Sequence, residues 1–60
     1  MADAQFELTR AQAGEFRFRL RAPNGEVIAV SEGYEQKSGA LNGIQSVRDN
    51  APTAVLEDQT

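Results

Sequence analysis

The chain has 60 residues, six Lys or Arg against nine Asp or Glu, and a net charge of −3; that is enough for one small domain, which buries about 60% of the surface its unfolded chain exposes. It contains no Cys and no His, which excludes a disulfide framework, a thiolate metal site, a thiol nucleophile and the commonest general base. The acidic balance argues against bulk electrostatic attraction to nucleic acid or an anionic membrane, and uncharged stretches such as residues 38–47 fall far short of the roughly 20 apolar residues of a membrane span.

Residues 1–5, Met-Ala-Asp-Ala-Gln, lack the basic and apolar regions of a signal peptide and read as a flexible lead. The expected location is the cytoplasm. From Phe6 to Leu20 apolar side chains fall on alternate positions, first Phe6 and Leu8, then Phe16, Phe18 and Leu20, the period of two half-buried strands. Parity selects the turn between them. A three-residue loop of Gln12, Ala13 and Gly14 pairs Arg10 with Phe16 and Leu8 with Phe18, which gathers the aromatics on one face. A four-residue loop would send the phenylalanines opposite Thr9 and Glu7 and defeat burial. The loop also ends in Gly, as a type I turn closed by a left-handed residue requires.

The same logic applies at Pro23, Asn24 and Gly25. A two-residue Asn-Gly turn would set Ile28 and Val30 opposite Arg21 and Arg19. With Pro23 as first loop residue, Gly25 takes the left-handed position and Ile28 and Val30 face Leu20 and Phe18. After Ser31-Glu32-Gly33-Tyr34 the period becomes helical: Ala40, Ile44 and Val47 are spaced i, i+4, i+7, which predicts a helix over 36–50 with one narrow apolar face. Asn50 can close its last turn and Pro52 cannot continue it. Ala54, Val55 and Leu56 form a short candidate strand. The order is three strands, a helix and a fourth strand, an α+β architecture with a domain over 6–57 and a flexible tail over 58–60.

Three groups of residues invite a functional reading. Gly33 precedes Lys37-Ser38, but a phosphate-binding loop needs a glycine directly before the lysine, and Gln36 stands there. Ala40 and Gly43 lie near one face of the helix and suit close approach to the sheet or to another helix, since an interior Gly costs about 1 kcal/mol relative to Ala; Gly39 lies in the first turn, where the cost is lower, and Asn42 falls on the shoulder of that face. Arg17, Arg19 and Arg21 line one face of the second strand and could fork onto phosphate or carboxylate. By the registers above, however, Arg19 lies between Glu7 and Ala29, and Arg17 between Thr9 and Ser31, so a cross-strand ion pair on a solvated face accounts for Glu7 and Arg19 without a ligand. Tyr34 and Glu35 have no partner that would orient them for catalysis. Glu32 and Glu35 suit a helix N-terminus, and Tyr34 packs its ring at the corner.

Five segments, Phe6-Glu7-Leu8, Ala13-Gly14-Glu15-Phe16-Arg17-Phe18-Arg19-Leu20, Asn24-Gly25-Glu26-Val27-Ile28-Ala29, Ser31-Glu32-Gly33-Tyr34 and Leu41-Asn42-Gly43-Ile44-Gln45-Ser46-Val47, in this order and spacing, resemble the YegP-like family of small bacterial proteins of unknown function. The likeness runs over 6–52. Phe18 departs from it, standing where the family often has Trp, and Gln36 replaces a small hydroxylated residue near the helix start. The resemblance implies a β-β-β-α-β unit that does not stand alone: two units, in tandem or as two subunits, form a single antiparallel sheet and exchange C-terminal strands. This chain carries one unit and so looks like a homodimer whose exchanged strand is Ala54, Val55 and Leu56. The resemblance brings no catalytic residue, metal or cofactor. The expectation is a non-enzymatic homodimer with a core of Phe6, Leu8, Phe16, Phe18, Leu20, Ile28, Val30, Tyr34, Ile44 and Val47. The rival expectation is a binding module that uses Arg17, Arg19 and Arg21 for an anionic ligand or nucleic acid.

Overall fold

A computed structural model describes residues 3–60. Strands β1 (Gln5–Arg10), β2 (Phe16–Arg21) and β3 (Val27–Val30) form an antiparallel sheet in the order β1-β2-β3, followed by helix α1 (Lys37–Asn50) and a 3-10 turn, Ala51–Thr53. Of the expected N-terminal lead, Gln5 already pairs with Arg21, while Met1 and Ala2 lie outside the described residues.

Parity sets the first hairpin. Arg10 pairs with Phe16, Leu8 with Phe18, Glu7 with Arg19 and Phe6 with Leu20. The loop closes with Ala11 N–H donating to Glu15 O (2.8 Å) and Gly14 N–H to Ala11 O (2.9 Å), and Gly14 adopts φ 94°. The second turn repeats it: Ala22 N–H donates to Glu26 O (2.7 Å), Gly25 N–H to Ala22 O (2.9 Å), and Gly25 has φ 91°. Both loops place Gly where a side chain would be strained.

The register beyond that second turn differs from expectation. Arg21 pairs with Val27, but Leu20 pairs with Ala29 and Arg19 with Val30, so Ile28 is an extra residue, a β-bulge. The bulge inverts the facing of the rest of the strand. Val30 comes opposite Arg19 on the open face, and Ser31 comes opposite Phe18, where its Oγ accepts from Phe18 N–H (2.9 Å) and its own N–H donates to Phe18 O (2.9 Å). The expected facing of Ile28 on Leu20 and Val30 on Phe18 is therefore corrected, as are the expected flanking of Arg19 by Ala29 and of Arg17 by Ser31. A serine hydroxyl can replace a missing ladder acceptor, so the strand tolerates the slip.

Helix α1 packs across β2. Phe18, 9% exposed, and Ala40, fully buried, are the centre of the core. The Phe18 ring meets Phe6 edge-on (6.1 Å, 69°) and stacks on Tyr34 (6.1 Å, 20°). Tyr34 is anchored by reciprocal backbone hydrogen bonds with Phe16, both 2.7 Å. The helical glycines serve this stack: a Cβ on Gly43 would lie 2.5 Å from Tyr34 Oη and 3.0 Å from Phe18 Cε2, and one on Gly39 would lie 3.2 Å from Tyr34 Cδ1. Close approach to the sheet is thus why the helix carries small residues.

The helix starts at Gln36 without a side-chain cap. At its other end Ala51 N–H donates to Val47 O, and Asn50 Nδ2 adds a bond to Ser46 O (2.7 Å). Phe6, Leu8, Phe16, Leu20, Tyr34 and Ile44 are half-buried. Ile28, Val30 and Val47, expected in the core, are exposed (59%, 73% and 36%), because one helix covers only the middle of a three-stranded sheet and the bulge turns Val30 away. Ala54 is extended (φ −68°, ψ 139°), but residues 54–56 pair with no strand among the described residues.

Candidate functional site

The alternation of β2 that buries Phe16, Phe18 and Leu20 on the helix side necessarily sends Arg17, Arg19 and Arg21 to the other. There each meets a carboxylate. Arg19 Nε donates to Glu7 Oε1 (2.5 Å), and Arg21 reaches the same carboxylate through Nε to Oε2 (3.2 Å) and Nη2 to Oε1 (3.2 Å). Gln5 Nε2 adds a bond to Glu7 Oε2 (2.7 Å). Hydrogen bonds from Arg21, then Arg19, then Gln5 stabilise the anion and lower the Glu7 pKa from 4.5 to about 2. Arg17 pairs with Glu15 (3.3 Å).

The Glu7–Arg19 pair is legible from the register alone. The reach of Glu7 to Arg21 is not, because it is a diagonal contact that depends on side-chain conformation. Arg21 Nη1 also donates to Gly25 O (2.5 Å), which ties the arginine face to the second turn. On the helix side, Arg10 lies over the Phe16 ring at 5.2 Å. The pairing of Arg10 with Phe16 that parity predicts sets a cation beside a ring, so the signal for this cation–π contact is present in the sequence.

Charge pairing limits the chemistry of the open face. An incoming anion must compete with Glu7 for two guanidinium groups that it already holds, while Arg17 keeps half of its side chain in water. Lys37 and Ser38 are the first residues of α1, where Ser38 Oγ donates to Gln36 Oε1 (3.4 Å). Tyr34 is a packing residue, stacked on Phe18. Among the described residues no pocket opens and no group of three or more Asp or Glu converges on a metal-sized site. Among the described residues no helix is long and apolar enough to cross a membrane.

Several large apolar side chains are also exposed. Val27 (43%), Ile28 (59%) and Val30 (73%) are exposed on edge strand β3, Leu41 (49%) on the helix, and Val55 (88%) and Leu56 (94%) on the C-terminal segment. The candidate strand residues Ala54, Val55 and Leu56 are all exposed, and no strand among the described residues covers them.

The chain matches a domain of unknown function, DUF1508, over residues 11–58. It is 58% identical over 52 residues to a UPF0339 protein of Treponema denticola, a match that covers 87% of this chain and 90% of that one. It is 46% identical over 52 residues to the UPF0339 protein YegP of Yersinia pestis, covering 87% of this chain but 46% of that one, so the chain spans nearly all of one relative and under half of another. The NMR solution structure of a protein from Haloferax volcanii has the same fold, with a TM-score of 0.84 at 41% identity and coverage of 97% of this chain and 98% of that chain. Likeness in sequence over most of the length and in fold over nearly all of it lead to one conclusion: the chain belongs to the DUF1508 or UPF0339 family, which includes YegP.

Proposed function

We propose that the chain acts in the cytoplasm as a non-enzymatic structural or interaction module, built as a homodimer in which each copy donates residues 54–56 as a strand to a sheet shared by both. The observation that carries this reading is the distribution of apolar exposure. Val55 and Leu56 are 88% and 94% exposed and Ile28 and Val30 59% and 73%, in a chain whose own core is one aromatic stack. Each square ångström of that surface removed from water contributes about 25 cal/mol, which favours an assembly that covers these side chains. Edge strand β3 offers unpaired backbone groups, and residues 54–56 pair with no strand among the described residues. The match to YegP covers 46% of that protein, which leaves room for a second unit of similar length in one chain, the covalent counterpart of a dimer.

Sedimentation equilibrium over a range of concentrations, on the full chain and on a version ending at Pro52, tests the proposal. The full chain is expected at twice its monomer mass, and the truncated chain is expected to dissociate or unfold. A stable monomer in both cases would overturn it.

A second reading rests on the half-exposed Arg17 side chain beside Arg19 and Arg21 on one sheet face: a module that binds an anionic ligand or nucleic acid there. Titration with a single-stranded oligonucleotide or a phosphorylated metabolite, read by strand amide shifts, separates the two. Binding that weakens steeply with salt and vanishes in Arg19→Ala would favour the arginine face.

A further inference from the structure

The chain contains two Asn-Gly dipeptides, Asn24-Gly25 and Asn42-Gly43, and the fold puts them in opposite situations. Asn24 is exposed at the tip of the second hairpin. Its side-chain Oδ1 accepts the backbone N–H of Glu26 at 3.0 Å. Around Gly25 there is open space, with no atom within 4 Å of where a Cβ would sit. Asn42, by contrast, precedes a glycine in the middle of α1, whose N–H belongs to the helical ladder and whose Cα faces the Phe18–Tyr34 stack.

We propose that Asn24 is a site of spontaneous deamidation in the folded protein and that Asn42 is protected by the helix. In this reaction the backbone nitrogen of Gly25 attacks Asn24 Cγ. A new N–Cγ bond forms, the Cγ–Nδ2 bond breaks, and ammonia leaves with the proton given up by the Gly25 amide. Water then opens the five-membered imide at either carbonyl and leaves aspartate or isoaspartate.

The Glu26 N–H is placed to stabilise the negative charge that develops on Oδ1 during attack, as a backbone donor does at an oxyanion. One hydrogen bond opposes the reaction, Gly25 N–H to Ala22 O at 2.9 Å, and it lies in an exposed turn. Opening such a turn sits at the low end of the local-unfolding scale, whereas exposing the Gly43 amide requires melting a packed helix.

The product adds one negative charge to a chain of net charge −3. In the isoaspartate form it also adds a backbone atom to a loop that fits three residues. That lengthening pulls Gly25 O from Arg21 Nη1, which it now holds at 2.5 Å, and perturbs the turn leading into β3.

The test needs no variant. The native chain and the chain held unfolded in guanidinium are aged side by side in mildly alkaline buffer, then digested with trypsin. Cleavage after Arg21, Lys37 and Arg48 places Asn24 in the peptide 22–37 and Asn42 in 38–48, each as its sole asparagine. Mass spectrometry reads the replacement of an amide by a carboxyl in each. In the native sample Asn24 is expected to convert roughly tenfold or more faster than Asn42, from the difference in local opening; unfolded, the two are expected to convert at similar rates. Conversion of Asn42 in step with Asn24 in the native chain overturns the proposal. So does a native Asn24 that stays intact while both sites convert in guanidinium.

Discussion

Replacing Gly43 with alanine isolates the contact on which the fold turns. In an ordinary helix interior this change stabilises by about 1 kcal/mol, because alanine restricts the unfolded chain and glycine does not. Here the new methyl would sit 2.5 Å from Tyr34 Oη, 3.0 Å from Phe18 Cε2 and 3.1 Å from Tyr34 Cζ. Neither ring swings away freely, since Tyr34 is stacked on Phe18 and held to Phe16 by two backbone hydrogen bonds. Overpacking of this kind costs about 1–3 kcal/mol, so Gly43→Ala is expected to be neutral at best and to destabilise by up to about 2 kcal/mol. For a domain of this size each kcal/mol corresponds to about 4–8 °C in Tm. Urea and thermal unfolding tracked by circular dichroism, at one fixed chain concentration because association shifts apparent stability, measure the effect. Tyr34→Phe removes the hydroxyl and with it the 2.5 Å contact, so the alanine should cost less in that background. A Gly43→Ala variant that melts above the parent would refute the close approach of α1 to the aromatic stack.

Phe18→Ala should cost about 3–5 kcal/mol, comparable with the whole stability of a chain this small, and a melt within a few degrees of the parent would contradict the central position of Phe18. Gly25→Ala meets no atom and so reports backbone strain alone; at φ 91° a loss of about 1–2 kcal/mol is expected in urea unfolding, with Gly25→Asn losing less. Glu7 titrates at about 2 in the folded chain against 4.5 for an unperturbed carboxyl. Between those values the unfolded state binds more protons, so this stabilisation is complete above about pH 4.5 and is lost as pH falls through about 2. The gap in urea midpoint between wild type and Glu7→Gln should narrow over that window, and a constant gap would show that Glu7 is not held by Arg19 and Arg21. Ile28→Asp should leave the secondary structure of the protomer intact and shift the sedimentation equilibrium toward monomer.

Much of this molecule is written in local pattern. The alternation of Phe6, Leu8, Phe16, Phe18 and Leu20, with Gly14 closing the loop, leaves one register that buries the aromatics, and that register is the one formed. Pro23 and Gly25 likewise select the second turn, and the Ala40, Ile44, Val47 spacing marks a helix that forms within one residue of its expected span. On the open face the pairing of Glu7 with Arg19 is determined directly, since cross-strand neighbours are fixed once the register is.

Tertiary structure decided the rest. The bulge at Ile28 leaves no mark in composition or periodicity: it changes parity by one residue, and Ser31 makes it tolerable by lending its hydroxyl to Phe18 N–H. That single slip put Val30 beside Arg19 and left the core to Phe18 and Ala40. The sharing of Glu7 between two arginines and the fit of Tyr34 over Gly39 and Gly43 were equally hidden, because both depend on where side chains from distant elements meet. Patterns of period two and 3.6 report which face a residue takes within its own element; which faces then touch, and which stay uncovered, is set by packing between elements far apart in the chain.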